Sequence, residues 1–303
     1  METPGLVVVG SMALDDIRTP FGEVKKTLGG AATYAGIAAS IFTKVGVIAV
    51  VGKDFPEEHI RFLNGKGIDT RGVKFAEGRT FRWSAYYEYD MAQAHTLKTE
   101  LNVFSGFSPE VPDGFSGAGH VFLANIDPKL QMHVLGQMRD ARFTALDTMN
   151  FWIGRSRQRL TEAIGKVDAV FINDAELRQL CGTHSLVKAA KHVLRMGPEF
   201  VVVKKGEHGA LLFSAEGAFS APAFPLEDVI DPTGAGDSFA GAAMGWLAKS
   251  GGADEKQVRK AVIYGTAVAS FNAEHFGAGK LRGLTIEEVE ERVRRLAELS
   301  RFE

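Results

Sequence analysis

Short runs of almost uninterrupted apolar, often β-branched residues recur along the chain, at 6–9, 46–51, 120–124, 143–146, 168–172, 200–203 and 210–213. A strand that is apolar on both faces is one buried from both sides. Helical patterns separate most of the runs, and the alternation predicts an α/β fold with a mostly parallel sheet covered by helices on either face. Helices are expected at about 31–42, 56–66, 155–164, 175–181, 186–196, 238–249, 254–272 and 285–299. With 303 residues and 45% hydrophobic content, the chain can bury one large α/β core or two smaller ones. No repeat or Pro/Gly/Ser-rich linker divides it, so a single domain over 1–303 is expected.

One stretch has a different period. From Thr80 to Asp90, Phe81, Trp83, Ala85, Tyr87 and Tyr89 alternate with polar partners, which gives a strand one aromatic and one polar face. Such a strand suits a smaller sheet. Together with 97–104 and part of 17–28 it predicts either an edge hairpin or a small β flap over the main sheet, built mainly from about 75–105 plus part of 15–28. A strip of aromatic side chains tends to be covered by the body of the protein or by a second copy, so a homodimer through Trp83 and Tyr87 is a further expectation.

The bulk charge narrows the partners. A formal net charge of -2 and a pI near 6.5 leave no electrostatic footprint for nucleic acid or an anionic membrane. Cys181 is the single cysteine, so neither an internal disulfide nor a thiolate metal cluster is available. No secretory leader and no apolar run of about 20 residues is apparent. A cytoplasmic protein is expected.

The run Asp-Pro-Thr-Gly-Ala-Gly-Asp-Ser-Phe-Ala-Gly, Asp231 to Gly241, carries the most chemistry. Small residues lead into a helix whose first N–H groups lack intrahelical partners, and that end of a helix attracts anions. Gly234, Ala235 and Gly236 can offer backbone donors to a phosphoryl group, while Asp237 in the first turn can accept a proton from an attacking hydroxyl. The alternative is a tight loop with Asp237 as a helix cap.

The complete run resembles the C-terminal signature of the ribokinase-like (PfkB) family of carbohydrate and nucleoside kinases, and weaker matches spread in family order from Asp15 to Gly241. The resemblance implies a three-layer α/β/α sandwich with a β-sheet lid. It implies an enzyme that uses ATP and Mg2+ to phosphorylate a hydroxyl, with Asp237 as general base and the backbone of Gly234 to Asp237 as an anion hole. A monovalent cation such as K+ beside Asp231 and Thr233 is part of the same expectation. The acceptor is expected to be a small sugar or polyol, with a nucleoside as the alternative.

The other site candidates have weaker intrinsic signals. Gly29-Gly30 before a small-residue helix reads as a turn, and by resemblance as a hinge and sugar contact. Tyr34 stands where family members commonly carry asparagine, exchanging an amide for one hydroxyl and a ring. Asp15, a few residues after the first apolar run, is either a solvated turn residue or a hydroxyl-binding acid; Asn125 and Asn150 follow later strands and are candidates for the same pocket. Asn173 and Glu176 satisfy a helix capping box and equally the family's Asn-x-x-Glu, which holds water around magnesium. Lys204, Gly206 and Gly209 lie in a turn that by resemblance meets the nucleotide, and 275–279 is expected to border the adenine pocket. Gly277-Ala278-Gly279-Lys280 is not a P-loop, because Glu274 and Leu281 stand at required positions. The turn after the first strand lacks Gly-x-Gly-x-x-Gly, against a nicotinamide dehydrogenase. A sensor built on this fold would be expected to have lost its base, and Asp237 is present.

Overall fold

A computed structural model describes residues 2–301. Within them the strands are β1 (Leu6–Val9), β2 (Ala13–Thr19), β3 (Gly22–Gly29), β4 (Val45–Gly52), β5 (Ile68–Ala76), β6 (Phe81–Tyr87), β7 (Ala94–Glu100), β8 (His120–Leu123), β9 (Phe143–Asp147), β10 (Ala169–Asn173), β11 (Phe200–Lys204), β12 (Ala210–Ser214) and β13 (Gly217–Ala221). The helices are α1 (Ala31–Ser40), α2 (Glu57–Gly65), α3 (Pro128–Leu135), α4 (Asn150–Arg155), α5 (Arg157–Ile164), α6 (Asp174–Cys181), α7 (Leu186–Leu194), α8 (Ala235–Ser250), α9 (Glu255–Ala273) and α10 (Ile286–Leu299).

Nine of these strands form one sheet in the order β13-β12-β11-β10-β9-β8-β1-β4-β5. Its members from β5 through to β11 pair in parallel, and β12 and β13 close one edge antiparallel. Successive residues of β1 show the two faces. Leu6 and Val8 join a core with Tyr34 and Ile37 of α1, Leu63 of α2, Phe239 of α8, Val262 of α9 and Val289 of α10. Val7 and Val9 join the opposite core with Val134 of α3, Ile153 of α4, Leu160 of α5, Leu177 of α6 and Val193 of α7. The result is the α/β/α sandwich that the continuous apolar runs predict.

The second sheet has the order β3-β2-β6-β7, with β2 antiparallel to β3 but parallel to β6. Its strands come from residues 13–29 and 81–100. The parallel register sets Asp15 beside Trp83 and Ile17 beside Ala85, so each pair shares one face.

Several boundaries differ from expectation for identifiable reasons. The helix expected at 155–164 is two, α4 and α5, separated at Ser156, whose backbone (φ -136°) is not helical. The strand expected at 97–104 is β7, after which Asn102–Gly106 winds as a 3-10 turn. Asp15 lies within β2 rather than in a turn after β1. Strands β5 and β13 lie at the two edges of the large sheet, where most side chains are exposed or half-buried and no continuous apolar run marks them.

Candidate active site

The central position belongs to the N-terminus of α8. Gly234 caps it in the left-handed region (φ 76°), and a Cβ there would stand 2.4 Å from the ring of Tyr34, so both backbone and space require glycine. The Ala235 amide donates to the Pro232 carbonyl and the Ser238 amide to that of Gly234. Among the described residues no acceptor meets the amides of Gly236 and Asp237. Two successive donors at a positive helix end thus face outward together. Ala235, expected to offer a third, does not.

Asp237 is half-buried at this helix end. Burial and the nearby Asp147 carboxylate push its carboxyl up to about 7, with Lys204 pulling the other way. Three neighbouring strand ends deliver its surroundings. Asp147 closes β9, Asn173 closes β10 and Lys204 closes β11, with Asn173 directly across from Lys204 in the register. Lys204 forms an ion pair with buried Asp147, and a Cβ on Gly236 would lie 3.3 Å from its Nζ. Burial opposes the Lys204 ammonium, but Asp147, Glu176 and Asp237 outweigh it and hold its pKa above the ordinary value. Burial raises Asp147 against the pull of Lys204.

The Asn173 and Glu176 pair makes a complete capping box. Asn173 Oδ1 accepts from the Glu176 amide at 2.7 Å, and Glu176 Oε2 accepts from the Asn173 amide at 2.9 Å. The same carboxylate is pushed up to about 7, chiefly by burial, with Lys204 opposing and Asp147 adding to the rise. Capping engages Oε2, which leaves Oε1 beside this charged group.

Across from α8 lies a second polar group. Asp15 is buried, and a Cβ on Gly29 would fall 1.9 Å from its Oδ2, so the carboxylate rests directly on the Gly29 backbone. Burial, then Asp231 and Asp237, push its carboxyl up to about 8, while a hydrogen bond from the Gly30 backbone opposes the rise. Asp15 Oδ1 and the Tyr34 hydroxyl are both buried without a hydrogen-bond partner among the described residues. Burial first, and then Asp15, Asp231 and Asp237, raise the Tyr34 phenol. Buried polar atoms are nearly always satisfied in proteins, so an unmet pair at one place marks where a polar ligand belongs. Gly30 caps α1 at φ 95°.

Asp231 is fully buried, and its two oxygens accept from the amides of Thr233 (2.9 Å) and Gly277 (2.8 Å). Asn272 Nδ2 donates to the Thr233 carbonyl, which ties the approach to α8 onto α9. The Thr233 hydroxyl meets that of Tyr87 at 3.1 Å. Both aromatic residues of the expected dimer face also bond within the chain, Tyr87 to Thr233 and Trp83 Nε1 donating to Thr96 of β7.

The remaining candidates lie farther out. Asn125 accepts from Trp152 Nε1 at 3.0 Å and donates to Met149 Sδ, while Asn150 opens α4 exposed to solvent. Gly206 and Gly209 bound the turn between β11 and β12; at Gly209 a Cβ would meet the Ala221 carbonyl at 2.1 Å. Asp147, Tyr87 and Asn272 carry no site role in the sequence reading, and Gly277, expected in the segment bordering the adenine pocket, instead donates its amide to Asp231. The signal for Asp147 was an acid ending an apolar run; Tyr87 and Asn272 carry none, since their partners are 146 and 39 residues away.

A helix end with two unengaged amides, a carboxyl pushed up to about 7 and a buried Lys204–Asp147 ion pair thus lie together, an arrangement of the kind that receives an anionic group. The particular family follows from comparison. The profile described as pfkB family carbohydrate kinase matches residues 4–282, and the chain belongs to that family of phosphotransferases with hydroxyl acceptors. A curated relative, the cytidine kinase of Thermococcus kodakarensis, is 30% identical over 243 residues, covering 78% of this chain and 86% of its own. The nucleoside kinase of Methanothermobacter thermautotrophicus is 29% identical over 293 residues, 91% of each chain. Among solved structures, the aminoimidazole riboside kinase of Salmonella enterica, complexed with aminoimidazole riboside and an ATP analog, superposes with a TM-score of 0.76 at 18% identity, covering 95% of this chain and 99% of that one. The shared fold is the ribokinase fold. Among the described residues no helix is long and apolar enough to cross a membrane.

Proposed function

We propose that this chain phosphorylates a hydroxyl of a nucleoside with ATP and Mg2+, using Asp237 as general base. One observation carries the reading: Asp237, pushed up to about 7, sits at a helix end whose Gly236 and Asp237 amides have no acceptor among the described residues, near enough for its charge to act on Asp15 and Tyr34, which hold an unmet pair of polar atoms. A base with a pKa near the working pH combines a useful ionised fraction with a real appetite for the proton. Bound ATP supplies the phosphoryl group, and the magnesium that accompanies it supplies positive charge.

The chain's own residues fit that guest. The Gly236 and Asp237 amides, which have no acceptor among the described residues, receive a phosphoryl oxygen, and Lys204 beside Gly236 adds a cation at the same place. Glu176 Oε1 and the Asn173 side chain orient water around the metal, a role compatible with the capping box since magnesium keeps most of its own waters. Gly206 and Gly209 shape the turn beside the nucleotide. Asp15 and Tyr34 hold the acceptor's other hydroxyls, with Gly29 leaving room for the Asp15 carboxylate and Gly30 for the Ser11 backbone. Asn125 and Asn150, at the start of the segments after β8 and β9, are the further acceptor contacts of this reading. The four-stranded sheet is a lid on the single domain and excludes water from the transfer.

A nucleoside is favoured over a free sugar or polyol because the two curated relatives above carry nucleoside names. A monovalent cation beside Asp231 and Thr233 and a homodimer through the small sheet belong to the same reading. Replacing K+ with tetramethylammonium tests the first, and light scattering at micromolar protein tests the second.

The decisive experiment is ADP formation across cytidine, other nucleosides, pentoses, hexoses and inositols, with magnesium. Turnover confined to nucleosides supports the reading. Turnover of a sugar or inositol alone moves the acceptor to the first expectation from sequence, and no turnover with any of them contradicts the kinase assignment.

A further inference from the structure

The small sheet touches two segments, the approach to α8 and the turn after α9, and Asp231 joins them. At the first, the Tyr87 hydroxyl from the last residue of β6 meets the Thr233 hydroxyl at 3.1 Å. At the second, Thr27 of β3 lies so close to Gly277 that a Cβ there would come within 2.9 Å of Thr27 Oγ1. Asp231 then accepts from Thr233 through Oδ1 and from Gly277 through Oδ2. Both contacts from the sheet therefore end on one buried carboxylate.

The other polar groups of Thr233 are already engaged. Its amide is on Asp231 and its carbonyl on Asn272, so the hydroxyl is the group through which the small sheet is felt. Gly234, the next residue, has the left-handed conformation that turns the Gly236 and Asp237 amides outward. Tyr87 is also close enough to Asp15 and Asp237 for their charges to act on its phenol.

Resting on the kinase reading above, we infer that Tyr87 is a positioning residue: its hydroxyl, through Thr233, sets the loop that presents the Gly236 and Asp237 amides when the four-stranded sheet is seated over the acceptor. A coupling of this kind makes the anion hole complete only in the covered site, and so favours transfer to the acceptor over transfer to water. Tyr87 itself handles no reacting atom.

The test uses the full chain carrying Tyr87→Phe, Thr233→Val, or both. Phenylalanine keeps the ring and removes the oxygen, so folding is expected to survive, as thermal unfolding will show. For Tyr87→Phe the expected result is a fall in kcat of about 10-fold, the size of losing one modest hydrogen bond in the transition state, with KM for ATP changed less than about 2-fold. The double variant is expected to be no slower than the slower single, because both changes break one link. Unchanged kcat in Tyr87→Phe, or single effects that multiply in the double variant, overturns the inference. Hydrogen exchange over residues 231–241 needs no acceptor and keeps this result separate from the assignment of substrate. Exchange there should quicken at least about 5-fold in Tyr87→Phe, a local opening eased by roughly 1 kcal/mol; unaltered exchange would contradict the link even if no nucleoside is turned over.

Discussion

The ring of Tyr34 occupies the space that a side chain at residue 234 would need: a Cβ on Gly234 would stand 2.4 Å from its Cγ. The contact joins α1 to the entry of α8, and it brings the buried Tyr34 hydroxyl to the same place as the turn that opens the helix. A phenol in this position thus shapes the anion-binding turn as well as the pocket beside it.

Gly234→Ala tests that contact against a built-in control. Gly234 and Gly206 both have positive φ, 76° and 56°, but a Cβ at Gly206 meets nothing within 4 Å. Each alanine pays for the left-handed backbone, about 1–2 kcal/mol. Gly234→Ala must also displace Tyr34, so its unfolding temperature is expected to fall distinctly below that of Gly206→Ala. Equal losses would show that Tyr34 moves aside freely.

The two roles of Glu176 separate by substitution. Glu176→Gln keeps an oxygen for the Asn173 amide, and glutamine serves in capping boxes as well as glutamate does. Its unfolding temperature should match that of the native protein while the magnesium concentration for half-maximal rate rises several-fold. Glu176→Ala should show the same rise and lose about 1 kcal/mol of stability besides. A magnesium titration unchanged in Glu176→Gln would reduce the residue to its cap.

Asp15 makes stability depend on pH in a predictable direction. Its carboxyl is raised from 3.8 to about 8 in the fold, so folding favours the protonated form. The stabilisation is complete below the unfolded value and is lost as pH rises through the folded one, between about 4 and 8. Asp15→Asn carries no such charge. Its unfolding temperature relative to the native protein should improve from about pH 5 to about pH 8 and level off above that, read by calorimetry without ligands. A constant difference across that range would mean that Asp15 is ionised throughout.

Much of the frame was legible because both-face burial leaves a plain mark: β1, β4 and β8 to β12 all coincide with continuous apolar runs. The motif from Asp231 to Gly241 was legible because a helix start has strict needs at successive residues. What escaped was set by distance or by edges. Strands β5 and β13 bury too little to show, and the residues alone left Asp15 open between a turn aspartate and a hydroxyl-binding acid because its cross-sheet neighbour, Trp83, is far away in sequence. The ion pair of Asp147 with Lys204 spans 57 residues, and Tyr87 reaches Thr233 across 146, so no local pattern encodes either.

Asp147 is the residue whose removal should retune the base. After burial, it is the largest influence raising Asp237, and it also shares Lys204. Asp147→Asn relieves the repulsion and leaves Lys204 with Glu176 and Asp237 as its carboxylate neighbours. The acid limb of kcat/KM is therefore expected to move to lower pH. A limb that stays in place or moves upward would contradict this ordering of influences.

The central claim concerns Asp237, and the pH dependence of kcat/KM for the acceptor tests it most directly. With a base raised to about 7, the native rate should climb tenfold per pH unit below that value and level off above it. Asp237→Asn should be slower by at least ~100-fold, the lower end for a missing general base, and should lose the limb. A variant that keeps both the rate and the limb would show that another group takes the proton.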